Sequence, residues 1–407
     1  MNLGFTRQIS PLRFFSACFF AFLIIYNITF RVNEVVTTGR ISVAILLIWF
    51  LLKGGIRRFR LGLKIYALFI PIPYVLIQLL FVGDPGQVSR FVNLAIYSYL
   101  GGFLIARYIG HLQSLLWILL SCVTAQAVIL IFGFGNGSFR GWIDSNIMIG
   151  ANFDAFNSYR AVGLTSSAGS ALSVTQSLGV LCGGWLIYLG TRAGAQIRTG
   201  LIIVFMLICL VSCAITGRTG LYLSFLFLAF SAYFSGAHRF LLYVFPIGII
   251  VFFVNESLLL RFVSNDVSMD WLLNWMLGVF SPDDETLSSL SSMPLPPLNA
   301  IESWIGHGRV SLIDGMNPSE NDSGFVQAVY SMGIVFGTLF YCAYFYVLGR
   351  LLNWLPVVYK ISILLLLFLI EIKEPFVFKY TVVFVLVAVN ALAGRENRIV
   401  TLKPDRV

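Results

Sequence analysis

Long apolar stretches, interrupted by short clusters of charged and glycine-rich positions, run from residue 14 almost to the end of the chain. The runs are continuous and do not alternate at every second position, which argues for helices and against a membrane β-barrel. Each helical crossing of a bilayer takes about 20 apolar residues. The pattern predicts about twelve spans, over residues 14–30, 36–52, 61–82, 90–109, 112–134, 168–190, 200–216, 219–235, 239–255, 324–347, 358–372 and 377–394. Two connecting stretches are long, 135–167 and 256–323. Loops of that length are uncommon unless they serve a function. In the second, residues 268–277 carry Trp271 and Trp275 at helical spacing, as in a helix lying on the membrane surface. Residues 281–297 are rich in turn formers. The expected fold is an all-α polytopic membrane protein, one integral membrane domain over residues 1–407, with two long loops on one side.

Composition sharpens this picture. Hydrophobic residues make up 58% of the chain and charged ones 11%, with mean hydropathy +0.88, whereas a soluble domain carries roughly 25% charged residues. The formal net charge is +9, but the basic residues are scattered over short loops, so the excess reads as a topology signal and not as a nucleic-acid surface. With the N-terminus in the cytoplasm, the inner segments hold Arg7, Arg13, Lys53, Arg57, Arg58, Arg60, Lys64, Arg107, Arg192, Arg198, Arg239, Arg350, Lys360 and the basic tail from Arg395 to Arg406. Only Glu396 and Asp405 among the acids fall with them. An even number of spans places both termini in the cytoplasm. The first span is long and lacks a small-residue cleavage site, so no cleaved leader is expected. The cysteines Cys18, Cys122, Cys182, Cys209, Cys213 and Cys342 lie in or at the ends of apolar runs, which implies no disulfide framework.

The chemistry gathers on the outer side. Three arginines sit there against the charge preference: Arg160 in Tyr159-Arg-Ala-Val-Gly-Leu164, Arg218 in Thr216-Gly-Arg-Thr-Gly-Leu221, and Arg309 in Gly306-His-Gly-Arg-Val310. A guanidinium is a planar fork of donors suited to phosphate oxygens, and glycines beside it allow close backbone approach. The plainer reading is an arginine reaching to headgroups or to a loop carboxylate. His307 is the one outer histidine and can take a proton from a hydroxyl; equally, it can be a loop histidine bonded to backbone. Asp314, Glu320 and Asp322 are alternative bases, while Asn321, Asp322 and Ser323 suit the N-cap of the next helix. Glu371, Lys373 and Glu374, just before Pro375, read as an outer turn with an internal ion pair in preference to the lining of a cavity. No zinc spacing, phosphate-binding glycine loop, dinucleotide fingerprint or Ser-His-Asp signature is present, and neither a metal nor a cofactor is expected.

These residues carry a resemblance. The chain resembles the O-antigen and capsular-polysaccharide polymerases of the Wzy type, in the O-antigen polymerase and ligase superfamily. The likeness rests on Arg160 to Leu164 after the first long loop, on the Gly217-Arg-Thr-Gly220 turn between two spans, and on Gly306-His-Gly308. It rests also on Asp322-Ser-Gly324 opening a span that contains Met332-Gly-Ile334 and Gly337, and on Lys373-Glu-Pro375 before the last span. The resemblance implies a glycosyltransferase of the bacterial inner membrane, with the long loops in the periplasm, that polymerises repeat units carried on undecaprenyl pyrophosphate. It implies His307, Asp322 and Arg218 as catalytic candidates, and Arg160, Arg218, Arg309, Glu320 and Asn321 as candidates for binding substrate. Membrane lipids, a chain-length regulator and a flippase are the partners it implies, with no nucleic acid. The related ligase carries a His-Asn or similar pair near the end of the late loop; here Asn321-Asp322 stands there and the histidine lies earlier, which favours the polymerase. A ligase that transfers glycan to the lipid A core, or a flippase for lipid-linked oligosaccharide, is the alternative. A flippase would be expected to break its helices and place its charges near mid-membrane.

Overall fold

A computed structural model describes residues 9–55, 63–149, 161–193, 198–236, 297, 299–311, 318–321, 323–373 and 375–401. The predicted span at 239–255, the surface helix at 268–277 and the turn-rich stretch up to 296 lie outside the described residues. So do Arg160, Asp314, Asp322 and Glu374.

The described chain is helical apart from one short strand pair. Helix α1 covers Pro11–Tyr26, strands β1 and β2 cover Thr29–Phe30 and Asn33–Thr37, and α2 covers Thr38–Leu52. A 3₁₀ segment, Leu63–Phe69, leads to α3, Ile72–Val82. Helices α4, Gly86–Asn93, and α5, Gly102–Ile109, are joined by a π-helical stretch, Leu94–Gly101. Then come α6 Leu112–Gly135, α7 Gly137–Asn146, α8 Gly169–Ala193, α9 Thr199–Thr216 and α10 Arg218–Phe234. The C-terminal part holds α11 Ile301–Ile305, α12 Gly324–Leu351, α13 Val357–Lys373 and α14 Thr381–Thr401. Among the described residues, five helical stretches are long and apolar enough to cross a membrane: Gly86–Ile109, Leu112–Gly135, Gly169–Thr191, Thr199–Thr216 and Gly324–Leu351.

Many of these helices present an apolar stripe outward. Ile41, Ile45, Ile48 and Leu52 are exposed along α2, Leu201, Val204, Leu207 and Val211 along α9, and Val358, Ile361, Leu365, Phe368 and Ile372 along α13. The three- and four-residue spacing places each set on one helix face. Stripes of this extent suit hydrocarbon and not water, so the chain is an all-α membrane protein.

Local chemistry explains where the helices stop. Asn27 closes α1 four residues before the expected end, because it adopts the left-handed conformation (φ 39°) and donates its N–H to Leu23. The strand pair comes next, with Phe30 bridged to Ile147 and Arg31 paired with Asp144 at 3.2 Å. The span expected at 61–82 is split at Pro71, whose ring cannot continue the preceding turn. The first long loop is partly ordered as α7, started by Asn136, whose side chain accepts the Phe139 N–H at 3.0 Å.

The chain divides into two compact units, one within Met1–Ser42, Ile105–Ser281 and Arg395–Val407, the other within Val43–Leu104 and Pro282–Gly394. In the first, α8 is the enclosed central helix, buried along almost all of its apolar length. A Cβ at Gly179 would crowd Cys209 and Val123, and one at Gly184 would overlap Ser231, so α6, α9 and α10 approach α8 through its small residues. In the second unit, Phe340 of α12 packs between Phe91 and Phe378, and Tyr97 of the π-helical stretch stacks on Tyr380.

Candidate functional site

In the first unit, two of the sequence motifs meet. A single residue, extended Gly217, separates α9, which ends at Thr216, from α10, which starts at Arg218. Gly217 and Gly220 both press on the start of α8. The Ser173 hydroxyl donates to the Gly217 carbonyl and accepts the Gly220 N–H at 2.8 Å, and a Cβ at Gly220 would overlap Ser173. The Gly-Arg-Thr-Gly sequence is therefore a packing device that fixes the first residue of α10, half-buried Arg218, at the helix N-terminus. The Ala161 N–H donates to the Ile215 carbonyl at 2.9 Å. The residue directly after Arg160 is thus joined to the turn that carries Arg218.

From Ala161 the chain continues inward without regular structure. Ala161, Val162 and Thr165 are buried, Gly163 lies against Gln126 and Leu130 of α6, and the Thr165 hydroxyl donates to the Tyr26 carbonyl at 2.9 Å. Irregular backbone between membrane helices is tolerated where protein surrounds it or where it lines a polar cavity. A helix N-terminus with an arginine upon it attracts phosphate oxygens. A Cβ at Gly163 would press on the Gln126 amide and on Leu130, so those two side chains of α6 lie directly against the backbone there.

In the second unit the Gly306-His-Gly308 segment fills a break in α12. Gly333 adopts φ 79°, ψ 165° inside that helix, a region open to glycine alone. The break frees carbonyls that the segment then satisfies: the His307 N–H donates to Tyr330 at 2.7 Å and the Gly308 N–H to Ser331 at 2.9 Å. Gln78 of α3 ties both sides, donating from Nε2 to Ile305 at 3.1 Å and Ser331 at 2.9 Å, and the Tyr74 hydroxyl also donates to Ile305. A Cβ on Gly306 or on Gly333 would overlap the other strand of this crossing. His307 itself is exposed, its ring stacked on Tyr330 with centroids 4.3 Å apart. Arg309 is exposed two residues further on.

Asp84, in the turn before α4, anchors the next stretch of that segment. It accepts the Val310 N–H at 2.7 Å, the Ser311 N–H at 2.9 Å, the Ser311 hydroxyl at 2.6 Å and the Gly86 N–H at 2.8 Å. Burial alone would raise its pKa, but the bonds from Ser311, Val310 and Gly86 outweigh burial and hold the carboxyl well below the usual range. His307 and Arg309 are thus presented outward from a segment pinned at both ends.

The start of α12 is built differently from expectation. Ser323 occupies the N-cap position, but its side chain makes no capping bond. Buried Asn321 takes that part: its Oδ1 accepts the Ser323 N–H at 2.8 Å, and its carbonyl accepts from Gln327 at 3.1 Å. Glu320 is exposed and left-handed (φ 50°). Glu371 is not the exposed turn residue that its position before Pro375 suggests. It is 1% exposed and accepts from the Tyr341 hydroxyl at 2.6 Å and from the Phe376 and Val377 N–H groups at 2.8 Å each. Its carboxylate also abuts Gly324, where a Cβ would overlap it. The glycine of Asp322-Ser-Gly324 is required by that contact.

Comparisons with protein-family models, with curated proteins and with solved structures find no match to this chain. The assignment of chemistry therefore rests on the residues themselves. Among the described residues no group of three His, Cys, Asp or Glu side chains gathers as a metal site would. Arg218 is placed in the first unit, and His307, Arg309, Glu320 and Asn321 in the second. Sequence reasoning did not single out Asp84, Gln78 or Tyr74. The signal for Asp84 was a lone carboxylate in the Asp84-Pro-Gly86 turn between two apolar runs, which any surface turn would also show.

Proposed function

We propose that this protein is a glycosyltransferase that polymerises lipid-pyrophosphate-linked oligosaccharide repeats at the outer face of the bacterial inner membrane. One observation supports this above the others: Ala161 bonds to Ile215, so the Arg160 stretch is tied to the turn that starts α10 with Arg218. The two arginine motifs are far apart in sequence and share no need for each other as loops. Departure of a pyrophosphate builds up negative charge, and preorganised guanidinium groups at a helix N-terminus stabilise it where water is scarce. Arg218 and Arg160 take this role. Arg309, Glu320 and Asn321 belong to the glycan side, and the acceptor hydroxyl gives its proton to His307, or to Asp322 if His307 is only structural. A base in this position contributes roughly 10²–10⁴-fold in rate.

The break of α12 at Gly333 favours a second reading, a flippase, since broken helices mark many transporters. Its freed carbonyls, however, are taken by His307 and Gly308 of the same chain. Deleting the gene and running surface polysaccharide on a gel separates the two. Loss of a polymerase leaves one capped repeat unit, and loss of a flippase or ligase leaves none. In the complemented strain, Arg218→Lys keeps the charge and loses the bidentate fork; the expected result is a normal amount of inserted protein and almost no long-chain polymer. Wild-type polymer in Arg218→Ala would end the pyrophosphate role.

A further inference from the structure

The second unit contains a guanidinium that the polymerase chemistry above does not use. Arg90 lies in the second turn of the helical stretch Gly86–Ile109 and is half-buried. Its guanidinium stands 5.2 Å from the centre of the Phe378 ring, which holds it in place through the ring's negative face. Two carboxylates act on it electrostatically, Asp84 and Glu371. Neither forms an ion pair with it. Both carboxylates are already engaged. Asp84 accepts from Gly86, Val310 and Ser311, and Glu371 from Tyr341, Phe376 and Val377.

Gln87 supplies an independent observation. It is three residues before Arg90, on the same helix face, and only 2% exposed. Neither its Oε1 nor its Nε2 has a hydrogen-bond partner. A buried amide with no partner is uncommon in a folded protein and points to a function. A cation in a membrane helix without a direct counter-ion does so too. Here the two stand one turn apart, beside a ring that orients one of them. Amide N–H and guanidinium N–H groups together make a donor set for an oxyanion. The Gln87 carbonyl oxygen would take a hydroxyl or a protonated phosphate oxygen.

We propose that Gln87 and Arg90 form a phosphate-oxyanion site in the second unit that binds the pyrophosphate of a lipid-linked substrate. This rests on the polymerase reading, in which two lipid pyrophosphates, of donor and acceptor, must be held. Arg160 and Arg218 serve one of them, and Gln87 with Arg90 the other. The site takes phosphate chemistry from a lipid-linked glycan carrier, from a phospholipid headgroup or from free pyrophosphate, and the test separates these sources.

The experiment uses the full chain in nanodiscs of neutral phosphatidylcholine, with radiolabelled undecaprenyl pyrophosphate as probe. The wild type is expected to bind two equivalents. Arg90→Gln and Gln87→Glu are each expected to keep one, with the lost equivalent weakened at least tenfold. Gln87→Glu guards against a folding artefact. Its carboxylate can pair with Arg90 within the helix, so it is expected to melt at a higher temperature while losing the anion. Two equivalents in both variants would overturn the site. If the wild type binds no lipid pyrophosphate, the polymerase reading fails. The site itself then survives only if inorganic pyrophosphate, or phosphatidylglycerol added to the disc, binds in an Arg90-dependent way. Arg90-independent binding of all three probes would overturn it.

Discussion

Asp84 shows how much one side chain can organise. It holds Val310 and Ser311 by three bonds, and through them the segment that displays His307 and Arg309. Asp84→Asn removes the charge and one acceptor oxygen, a loss of about 1–3 kcal/mol. The expected outcome is amide exchange at 308–311 faster by about one to two orders of magnitude, with the helices unaffected. The same carboxyl predicts a pH profile. Its folded pKa lies below the unfolded value of about 3.9. Its stabilisation is therefore complete above that value and is lost only as pH falls through the lower folded value. Exchange protection at Val310 and Ser311, corrected for intrinsic rate, should persist at pH 4; its disappearance there would contradict the assignment. Arg218 stood out in the sequence because the expected topology sets it against the charge rule. Asp84 was not, because a carboxylate beside Pro and Gly is what an ordinary turn contains, and only its partners over two hundred residues away distinguish it.

At the scale of elements, two glycine crossings define the site regions. Gly220 lets α10 start against Ser173 of α8, and Gly333 breaks α12 so that residues 305–308 enter. Gly333→Ala places a side chain in a backbone region that costs about 1–3 kcal/mol and also forces it onto the Trp304 carbonyl. The expected result is release of the His307 segment, read as maleimide labelling of a Ser303→Cys reporter in a Cys342→Ser background, since Ser303 is buried in the parent protein and Cys342 is exposed. Unchanged labelling would show that the crossing tolerates a methyl group. Gly220→Ala should lower the yield of inserted protein, since Ser173 backbone and not a flexible side-chain end stands in its way. Normal yield and polymer in that variant would refute the packing role of the turn. The glycines were visible in the sequence as punctuation. Their function as crossing points was not, since each depends on a partner from another helix.

For the whole molecule, the testable statement is topology. Reporter fusions after Arg60, after Arg198 and at Val407 are expected to read cytoplasmic, and fusions within 281–299 to read outside. A cytoplasmic late loop would place His307 and Arg309 away from the lipid pyrophosphate and remove the proposed chemistry altogether. The charge distribution supports this orientation, because lysine and arginine are retained on the cytoplasmic side during insertion.

By itself the sequence determined the solvent of this protein and the positions of most helices. Hydrocarbon admits only backbone that satisfies its own hydrogen bonds, so twenty apolar residues in a row have one outcome. The boundaries of α6, α8, α9 and α10 and the start of α12 fall within a few residues of the apolar runs for that reason. The tertiary structure alone decided which polar groups meet. It joined Ala161 to the Arg218 turn, seated His307 on broken α12, engaged Asp84 with Ser311, buried Glu371 beneath Gly324 and left Gln87 beside Arg90 without a partner. Hydrophobic burial is non-directional and is read from composition and period, whereas a hydrogen bond depends on where two distant segments are brought by packing.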